Sequence, residues 1–209
     1  MPDAPGLELI LSEINAEHDG AVLDTSFDRE QASLIVDPAH ILAVLGWLRD
    51  TPSQQYTFLS SVHGADYLPG APRFAVHYEL LNRERYERLR VKAVLADPAA
   101  VDAEVATVGG ADGDPDGIRG EGLPAGSPPV APTDGLPHID SVVHLYPTAE
   151  FQEREVYDFF GIVFDGHPDL RRILMPDDYV GWPQRRDFPV GGEPVIFTRD
   201  EVTNPGWWQ

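Results

Sequence analysis

The chain contains no cysteine among its 209 residues. This absence excludes disulfide bonds, thiolate nucleophiles, and any zinc ion or iron–sulfur cluster held by cysteines of this chain. Long hydrophobic runs are also missing: the longest nearly apolar stretch is Ile41 to Leu48, whereas a helix needs about 20 apolar residues to span a bilayer. Residues 1–10 lack the basic start of a secretory signal peptide. We therefore expect a chain that stays in the cytoplasm.

Basic residues are scarce, because 15 Lys and Arg face 35 Asp and Glu and the net charge is −20. Proteins that bind nucleic acid need clustered Lys and Arg to neutralise phosphates, and the same holds for docking on an anionic membrane surface. The composition therefore argues against nucleic acid as a partner and predicts contact with a membrane only through partner proteins. The hydrophobic share of 42% is ordinary for a globular chain that buries a core.

The first half of the chain shows the patterns of a mixed α and β domain. A helix is predicted after Asp37 and Pro38, with apolar residues at helical spacing at 41, 44, 45 and 48, and a shorter helix is predicted over 7–16. Segments with the composition or alternation typical of strands are 21–27, 32–36, 55–62, 74–80 and 89–95. The polar segment 82–85 predicts an antiparallel hairpin between the last two strands. The fold class is thus α+β, a mainly antiparallel sheet with helices packed on one face, followed by an extended irregular C-terminal tail.

Four regions are expected along the chain: an α+β domain over 1–96, an acidic loop or linker rich in Pro and Gly over 97–137, a helical region over 138–165 that completes the domain, and an extended interface tail over 166–209. The second region contains seven prolines, eight glycines and one arginine. It cannot bury enough apolar area to offset its conformational entropy. Prolines scattered through the last region rule out long helices or strands there.

A further helix is predicted over 149–160, with Thr148 as its N-terminal cap and Gly161 as the residue that ends it. Its apolar stripe is expected to consist of Phe151, Val156, Phe159 and Phe160. Its surface is expected to carry two ion pairs at i,i+4 spacing, Glu150 with Arg154 and Arg154 with Asp158. Residues 162–165 are expected to form one short strand.

The segment 153–189 mixes charges of both signs with aromatic residues, which neither a solvated helix face nor a core strand does. Its charges must be paired and desolvated either by the rest of this chain or by another one. We therefore predict that they form a partner interface or clamp the tail to its own fold. The residues concerned are Glu153, Arg154, Glu155, Asp158, His167, Asp169, Arg171, Arg172, Arg185, Arg186 and Asp187.

Interpretations of these residues as a catalytic or ligand site are weaker. Glu153 and Glu155 point to different sides of one helix, so they cannot flank one substrate atom as acid and base. His167 and Asp169 lack a third metal ligand nearby, and the segment 166–169 is expected to be a tight turn in which Asp169 accepts backbone N–H groups. No catalytic, cofactor-binding or metal-binding residues are therefore assigned. A stand-alone hydrolase that uses Asp158, His167 and Asp169 remains the remote alternative.

The paired arginines offer a phosphate site as a further alternative. Arg171 with Arg172 and Arg185 with Arg186 have the chemistry for this, because guanidinium groups bind phosphate in a bidentate manner. Acids of matching number stand close to them in the sequence, at Asp177, Asp178 and Asp187. Ion pairing within the protein or with a partner is therefore favoured over phosphate.

The same segment carries a resemblance to a known family. The residues 153–155, 157–158, 160–162, 166–174 and 183–189 closely resemble the characteristic segment of the C-subunit family of NADH-quinone oxidoreductase, respiratory complex I. Similarity extends more weakly over 65–67 and 73–81. Phe151 stands where that family usually has Trp, and residues 184–187 read Gln-Arg-Arg-Asp where it usually has Leu-Arg-Lys-Asp.

This resemblance implies a scaffold subunit of the peripheral arm with no cofactor of its own, peripheral to the cell membrane on its cytoplasmic side. FMN and iron–sulfur clusters would lie in partner subunits. Its partners would be chiefly the quinone-site subunit and that subunit's cluster-bearing neighbour, within a proton-translocating NADH:quinone oxidoreductase. The alternative is the equivalent subunit of a related quinone reductase with another electron donor, or of a membrane-bound hydrogenase.

Overall fold

The structure is a computed structural model that describes residues 2–98 and 135–188. The helices are α1 (Ala4–Glu17), α2 (Ile41–Asp50), which a short 3₁₀ turn (Pro38–His40) precedes, and α3 (Ala149–Phe160). The strands are β1 (Val22–Asp28), β2 (Gln31–Val36), β3 (Phe58–Asp66), β4 (Phe74–Asn82), β5 (Glu87–Leu95), β6 (His138–Asp140) and β7 (Val163–Asp165).

Five strands form the main sheet in the order β1-β2-β5-β4-β3. Three of its four neighbouring pairs are antiparallel, and β2 with β5 is the parallel pair at its centre. The predicted α+β class is therefore confirmed. The strand predicted over 55–62 begins later, at Phe58, and runs to Asp66. The reason is that Gln54 and Gln55 still donate to the carbonyl of Thr51 and Gln55 adopts a left-handed φ of 49°, so the turn after α2 occupies these positions.

One apolar core joins the helices to one face of this sheet. The stripe predicted on α2 is confirmed, because Ile41, Val44, Leu45 and Leu48 are all buried completely. The predicted capping by Asp37 is confirmed as well, since its side chain accepts a hydrogen bond from the N–H of Ala39 at 2.9 Å. Alternation along β5 places Leu89, Val91 and the following odd-numbered residues inward.

Helix α3 covers the outer edge of β3, where unpaired backbone groups of a strand would otherwise face solvent. The Gln152 side chain accepts the N–H of Val62, and the hydroxyl of Thr148 donates to the carbonyl of Leu59 at 3.2 Å. The expected N-terminal cap at Thr148 is therefore wrong in its chemistry: the residue precedes the helix but makes no capping bond with its side chain. Its hydroxyl serves the sheet edge instead.

The chain leaves α3 through Gly161, which ends the helix as predicted with a left-handed φ of 67°. The predicted short strand follows as β7, which pairs with β6 in parallel. Residues 166–188, called the C-terminal segment below, contain no helix or strand, in line with the expected irregular tail. Residues 189–209 of that tail, and nearly all of the acidic segment 97–137, lie outside the described residues. Within the described ranges, no helix has the length and apolarity to cross a membrane.

Candidate functional site: a clamp that holds the C-terminal segment

The polar side of α3 is buried, although its sequence predicts a solvated surface. Arg154 and Asp158 are 7% and 0% exposed. The guanidinium of Arg154 donates to the backbone carbonyls of Arg171 and Arg172 at 3.2 and 3.1 Å. The expected surface ion pairs at i,i+4 spacing are therefore wrong, because the C-terminal segment folds back over this side of the helix and provides the partners.

Asp158 is the centre of this contact. Its Oδ1 accepts from Nη1 of Arg172 at 2.7 Å, and its Oδ2 accepts the backbone N–H groups of Ile173, Leu174 and Met175 at 3.0, 2.7 and 2.8 Å. Burial alone would raise the pKa of Asp158, but the N–H groups of Met175 and Leu174 and the guanidinium outweigh it, so the pKa lies below its ordinary value. The carboxylate accepts four hydrogen bonds, which fills its acceptor capacity.

Arg172 continues the contact toward the later part of the segment. It donates to the carbonyl of Gly181 at 2.9 Å and to the backbone carbonyl of Asp158 at 3.0 Å. Its guanidinium carbon lies 4.7 Å from the ring centroid of Trp182, in cation–π contact. Asp158, Arg154 and Arg172, which together hold residues 171–175 and 181 against α3, are called the clamp below.

A second anchor lies at the junction of β3 and β4, where the sequence patterns indicate no site. Arg73 donates to Asp66 at 3.0 Å, to Asp97 at 2.7 Å and to Asp187 of the C-terminal segment at 2.6 Å. The carboxylate of Asp66 also accepts the backbone N–H of Arg186 at 2.9 Å. Burial would raise the pKa of Asp66, but the bonds from Arg73 and from backbone N–H groups lower it overall.

Arg185 is held between the clamp and the second anchor. Its Nε donates to the carbonyl of Phe160, the last residue of α3, at 2.7 Å, and its guanidinium lies 4.8 Å from the ring centroid of Phe74. Burial, together with repulsion from Arg73, lowers the pKa of this guanidinium. The backbone N–H of Gln184 donates to the carbonyl of Phe159 at 3.1 Å. A cation at the carbonyl end of a helix is stabilised by the helix dipole.

Glu153, the residue before Arg154 on α3, is completely buried. Its carboxyl group accepts from the hydroxyl of Ser141 at 2.6 Å and from the N–H of Val142 at 2.8 Å. Burial raises the pKa of Glu153 to about 7, and these two hydrogen bonds offset only part of the shift. Glu153 therefore ties the segment after β6 to the helix, whereas Glu155, two residues along, is exposed.

Both ring nitrogens of His167 are engaged by backbone groups. Nε2 lies 2.9 Å from the carbonyl of Glu150, and Nδ1 is 3.0 Å from the N–H of Asp169, which requires Nδ1 as acceptor and Nε2 as donor. Neither nitrogen is left for a metal. No group of three or more potential metal ligands occurs in the described ranges. The expected bonds from backbone N–H groups to Asp169 are replaced by a pair with Arg171 at 2.8 Å.

The predicted residues thus divide into two sets. The buried or half-buried set makes contacts within the chain and consists of Glu153, Arg154, Asp158, His167, Arg172 and Arg185. The exposed set consists of Glu155, Asp169, Arg171, Arg186 and Asp187. Asp177 and Asp178, expected as partners of the paired arginines, are exposed, and Arg171 and Arg172 pair with Asp169 and Asp158 instead. Phe151, expected in the apolar stripe, is 58% exposed.

This arrangement suits mechanical attachment rather than acid–base chemistry. Asp158 is saturated by the segment that it holds, and the His167 ring is fixed by backbone atoms, so these residues do not converge on a free space. The partner-interface role of the exposed set stays a prediction. Asp66 and Arg73 were missed because the partners that join their pair to the rest of the fold come from 97 and 186–187, more than 20 residues away in the sequence.

Comparison with known proteins gives this segment a context. The family model described as respiratory-chain NADH dehydrogenase, 30 Kd subunit, matches residues 34–111 and 129–194. The NADH-quinone oxidoreductase C-subunit of Saccharopolyspora erythraea is 38% identical over 97% of this chain, and that of Herpetosiphon aurantiacus is 39% identical over 80%. The chain spans 66% and 77% of the length of these two relatives, and 58% of the length of the one from Salinispora tropica.

A solved structure shares the fold. A chain of the membrane-bound sulfane sulfur reductase, an archaeal respiratory membrane complex, superposes with a TM-score of 0.56 at 20% identity, covering 88% of this chain and 85% of that one. The family model matches well over half of the residues, and the matched ranges include α3, the clamp and the second anchor. The chain therefore belongs to the C-subunit family of NADH-quinone oxidoreductase, the family of the 30 kDa subunit of respiratory-chain NADH dehydrogenase.

Proposed function

We propose that this chain is a scaffold subunit, without a cofactor of its own, of the peripheral arm of a proton-translocating NADH:quinone oxidoreductase. Its role is to brace the quinone-site subunit and that subunit's cluster-bearing neighbour. Electrons would pass through FMN and iron–sulfur clusters of partner subunits. The enzyme would lie on the cytoplasmic side of the membrane, and this chain would reach the membrane only through its partners.

The observation that carries the proposal is that charged residues of α3 and the C-terminal segment bind groups of this chain itself. The side chains of the clamp form hydrogen bonds with backbone groups of that segment, and Asp158 also pairs with Arg172. Such groups fix the shape of a surface rather than transform a substrate. The absence of cysteine agrees with electron carriers held elsewhere, because iron–sulfur clusters are bound mainly by thiolates.

The test is the composition of the particle in which the chain resides. The chain would be tagged, membranes extracted in mild detergent, and the extract separated by size. Flavin, iron and NADH-to-quinone activity would be measured in the tagged fraction. We expect a large particle with flavin and iron that oxidises NADH. A large particle inactive with NADH would favour the related enzyme with another donor. A free chain without cofactor-bearing partners would refute the scaffold role.

A further inference from the structure

The C-terminal segment carries large apolar side chains on its outer side. Leu174 and Val180 are 61% and 63% exposed, and Phe151 on the neighbouring helix is 58% exposed. These three residues are called the apolar ledge below. Single exposed apolar residues are ordinary on protein surfaces, but several that are held together by one ordered structure indicate a surface that another protein covers.

Two members of the apolar ledge are tied to the same ion pair. The backbone N–H of Leu174 donates to Asp158 at 2.7 Å. The carbonyl of Gly181, the residue after Val180, accepts from Arg172 at 2.9 Å. Since Arg172 and Asp158 are themselves 2.7 Å apart, both stretches of chain lie directly over this pair.

Phe151 extends the apolar ledge along the helix. It stands seven residues before Asp158, so both lie on the same side of α3, two turns apart. Its ring centroid lies 5.7 Å from the guanidinium carbon of Arg154, which in turn holds the carbonyl of Arg172. The clamp therefore runs directly beneath all three members.

The clamp also determines which side of the segment faces outward. Three consecutive backbone N–H groups, at 173–175, point toward Asp158, so the polar backbone of this stretch is satisfied inward. The outward side is left to side chains, among them Leu174. Because the segment is already ordered in the free chain, a partner that binds there does not have to supply the entropic cost of ordering it.

The exposed charges near the apolar ledge that lack an ion-pair partner in the described residues are acidic. Glu155, Asp177 and Asp178 are exposed and belong to none of the ion pairs found within residues 2–98 and 135–188. Arg171, an exposed cation of the C-terminal segment, is already paired with Asp169. A complementary surface therefore has an apolar centre and a rim of Lys or Arg, because opposite charges across an interface favour encounter and fix its register.

We propose that the apolar ledge docks onto an apolar patch, rimmed by basic residues, of a neighbouring protein subunit in the same complex. This inference rests on the proposed function and makes it more specific: the contact with the partner is apolar with an acidic rim, whereas the arginines act on the inner side as supports. It differs from the expectation that the paired arginines reach carboxylates of the neighbour.

The first test replaces the exposed leucine and valine. The double variant Leu174→Gln with Val180→Gln would be compared with Leu9→Gln, since Leu9 on α1 is equally exposed at 65% but lies far from the clamp in the sequence. We expect the fraction of tagged chain in the large particle to fall about tenfold in the double variant. Leu9→Gln should leave that fraction unchanged, and neither change should shift the Tm of the free chain. Normal assembly of the double variant would overturn the proposal.

The acidic rim has its own variant. Asp177→Asn with Asp178→Asn should make the fraction of chain retained in the particle less sensitive to salt, because screening acts on charge pairs across the rim. The wild-type chain should be released progressively as salt rises. If the wild-type chain and the double variant showed the same salt dependence, the proposal of a basic rim on the partner would be wrong.

A crosslink identifies the occupant even if the double variant lowers the Tm. The chain lacks cysteine, so Asp177→Cys provides one thiol for a maleimide-linked benzophenone, with the cysteine-free chain as background control. An adduct between the tagged chain and another subunit of the particle supports the proposal. An adduct within the chain or with a second copy overturns it. In either case, co-elution of the wild-type chain with flavin and iron tests the scaffold role separately.

Discussion

Asp158 and Arg172 form the ion pair that joins α3 to the C-terminal segment, with Oδ1 and Nη1 2.7 Å apart and side chains that are 0% and 9% exposed. The pair is not isolated, because the carboxylate also accepts three backbone N–H groups and the guanidinium also reaches the carbonyl of Gly181. A buried pair in which every polar group finds a partner holds its geometry firmly. Removal of either side chain leaves the charge of the other buried without a partner of opposite sign.

Replacing Arg172 by Ala should therefore destabilise the chain strongly. We expect the free energy of unfolding to fall by about 3–5 kcal/mol, the usual cost of breaking a buried pair from one side, and the yield of assembled complex to fall with it. Urea unfolding of the purified chain measures the first, and the tagged fraction in the large particle measures the second.

The neighbouring Arg171→Ala provides the matched control. Its side chain is 68% exposed and pairs only with the half-exposed Asp169, so its removal should change stability by no more than about 0.5 kcal/mol. Equal effects of the two alanine substitutions would show that the Asp158–Arg172 pair does not hold the segment.

The elements of the fold were accessible from the sequence because their signals are local. The spacing of Ile41, Val44, Leu45 and Leu48 and the alternation along 74–80 and 89–95 depend on residues a few positions apart. The beginning of β3 was misplaced by three residues because the turn after α2 runs on to Gln55. Strand boundaries respond to such neighbouring contacts, which periodicity does not record.

The contacts of the candidate site could be predicted from the sequence only in part. Helical spacing correctly placed Arg154 and Asp158 on one side of α3, but it does not tell what covers that side. The cover comes from 171–175, and two partners of Arg73 come from 97 and 187, so their sequence separation hides the pairing. Phe151 illustrates the opposite error, since an aromatic residue at helical spacing was assigned to the core and is exposed.

The pKa of Asp158 predicts a pH dependence of stability. Its pKa is lower in the folded chain than the ordinary value, so the charged form contributes stability above about pH 4, and this contribution is lost as the pH falls through the folded pKa. In Asp158→Asn the contribution is absent at every pH. The difference in unfolding free energy between the two proteins should therefore shrink as the pH falls from about 6 to about 3. A constant difference over this range would contradict the lowered pKa.

Glu153 predicts a dependence of the opposite sign. Its pKa is raised by burial from 4.5 to about 7, so the folded chain binds a proton between these two values that the unfolded chain releases. The contribution of Glu153 is thus full below pH 4.5 and is lost as the pH rises to about 7, by roughly 3 kcal/mol. Glu153→Gln should remove this loss, so that its stability relative to wild type increases over the same range.

The control for this prediction lies on the same helix. Glu155→Gln changes the same functional group at an exposed position and should leave the pH profile over that range as it is in wild type. His167, whose Nε2 lies 4.0 Å from Oε2 of Glu153, is retained in both variants. Parallel profiles for wild type and Glu153→Gln would show that the buried carboxyl group is already ionised near its ordinary pKa.

Gly161 ends α3 and packs against the ring of Trp182. Two observations predict that no other residue fits at this position. Its φ of 67° is left-handed, which costs a residue with a Cβ about 1–2 kcal/mol, and an added Cβ would overlap the indole ring. Gly161→Ala should therefore lower the unfolding free energy by more than about 2 kcal/mol. Gly46→Ala lies inside α2 with open space around it and should stabilise by about 0.5–1 kcal/mol. Thermal unfolding of both variants measures the contrast, and a stabilised Gly161→Ala would mean that the chain turns differently where α3 meets the C-terminal segment.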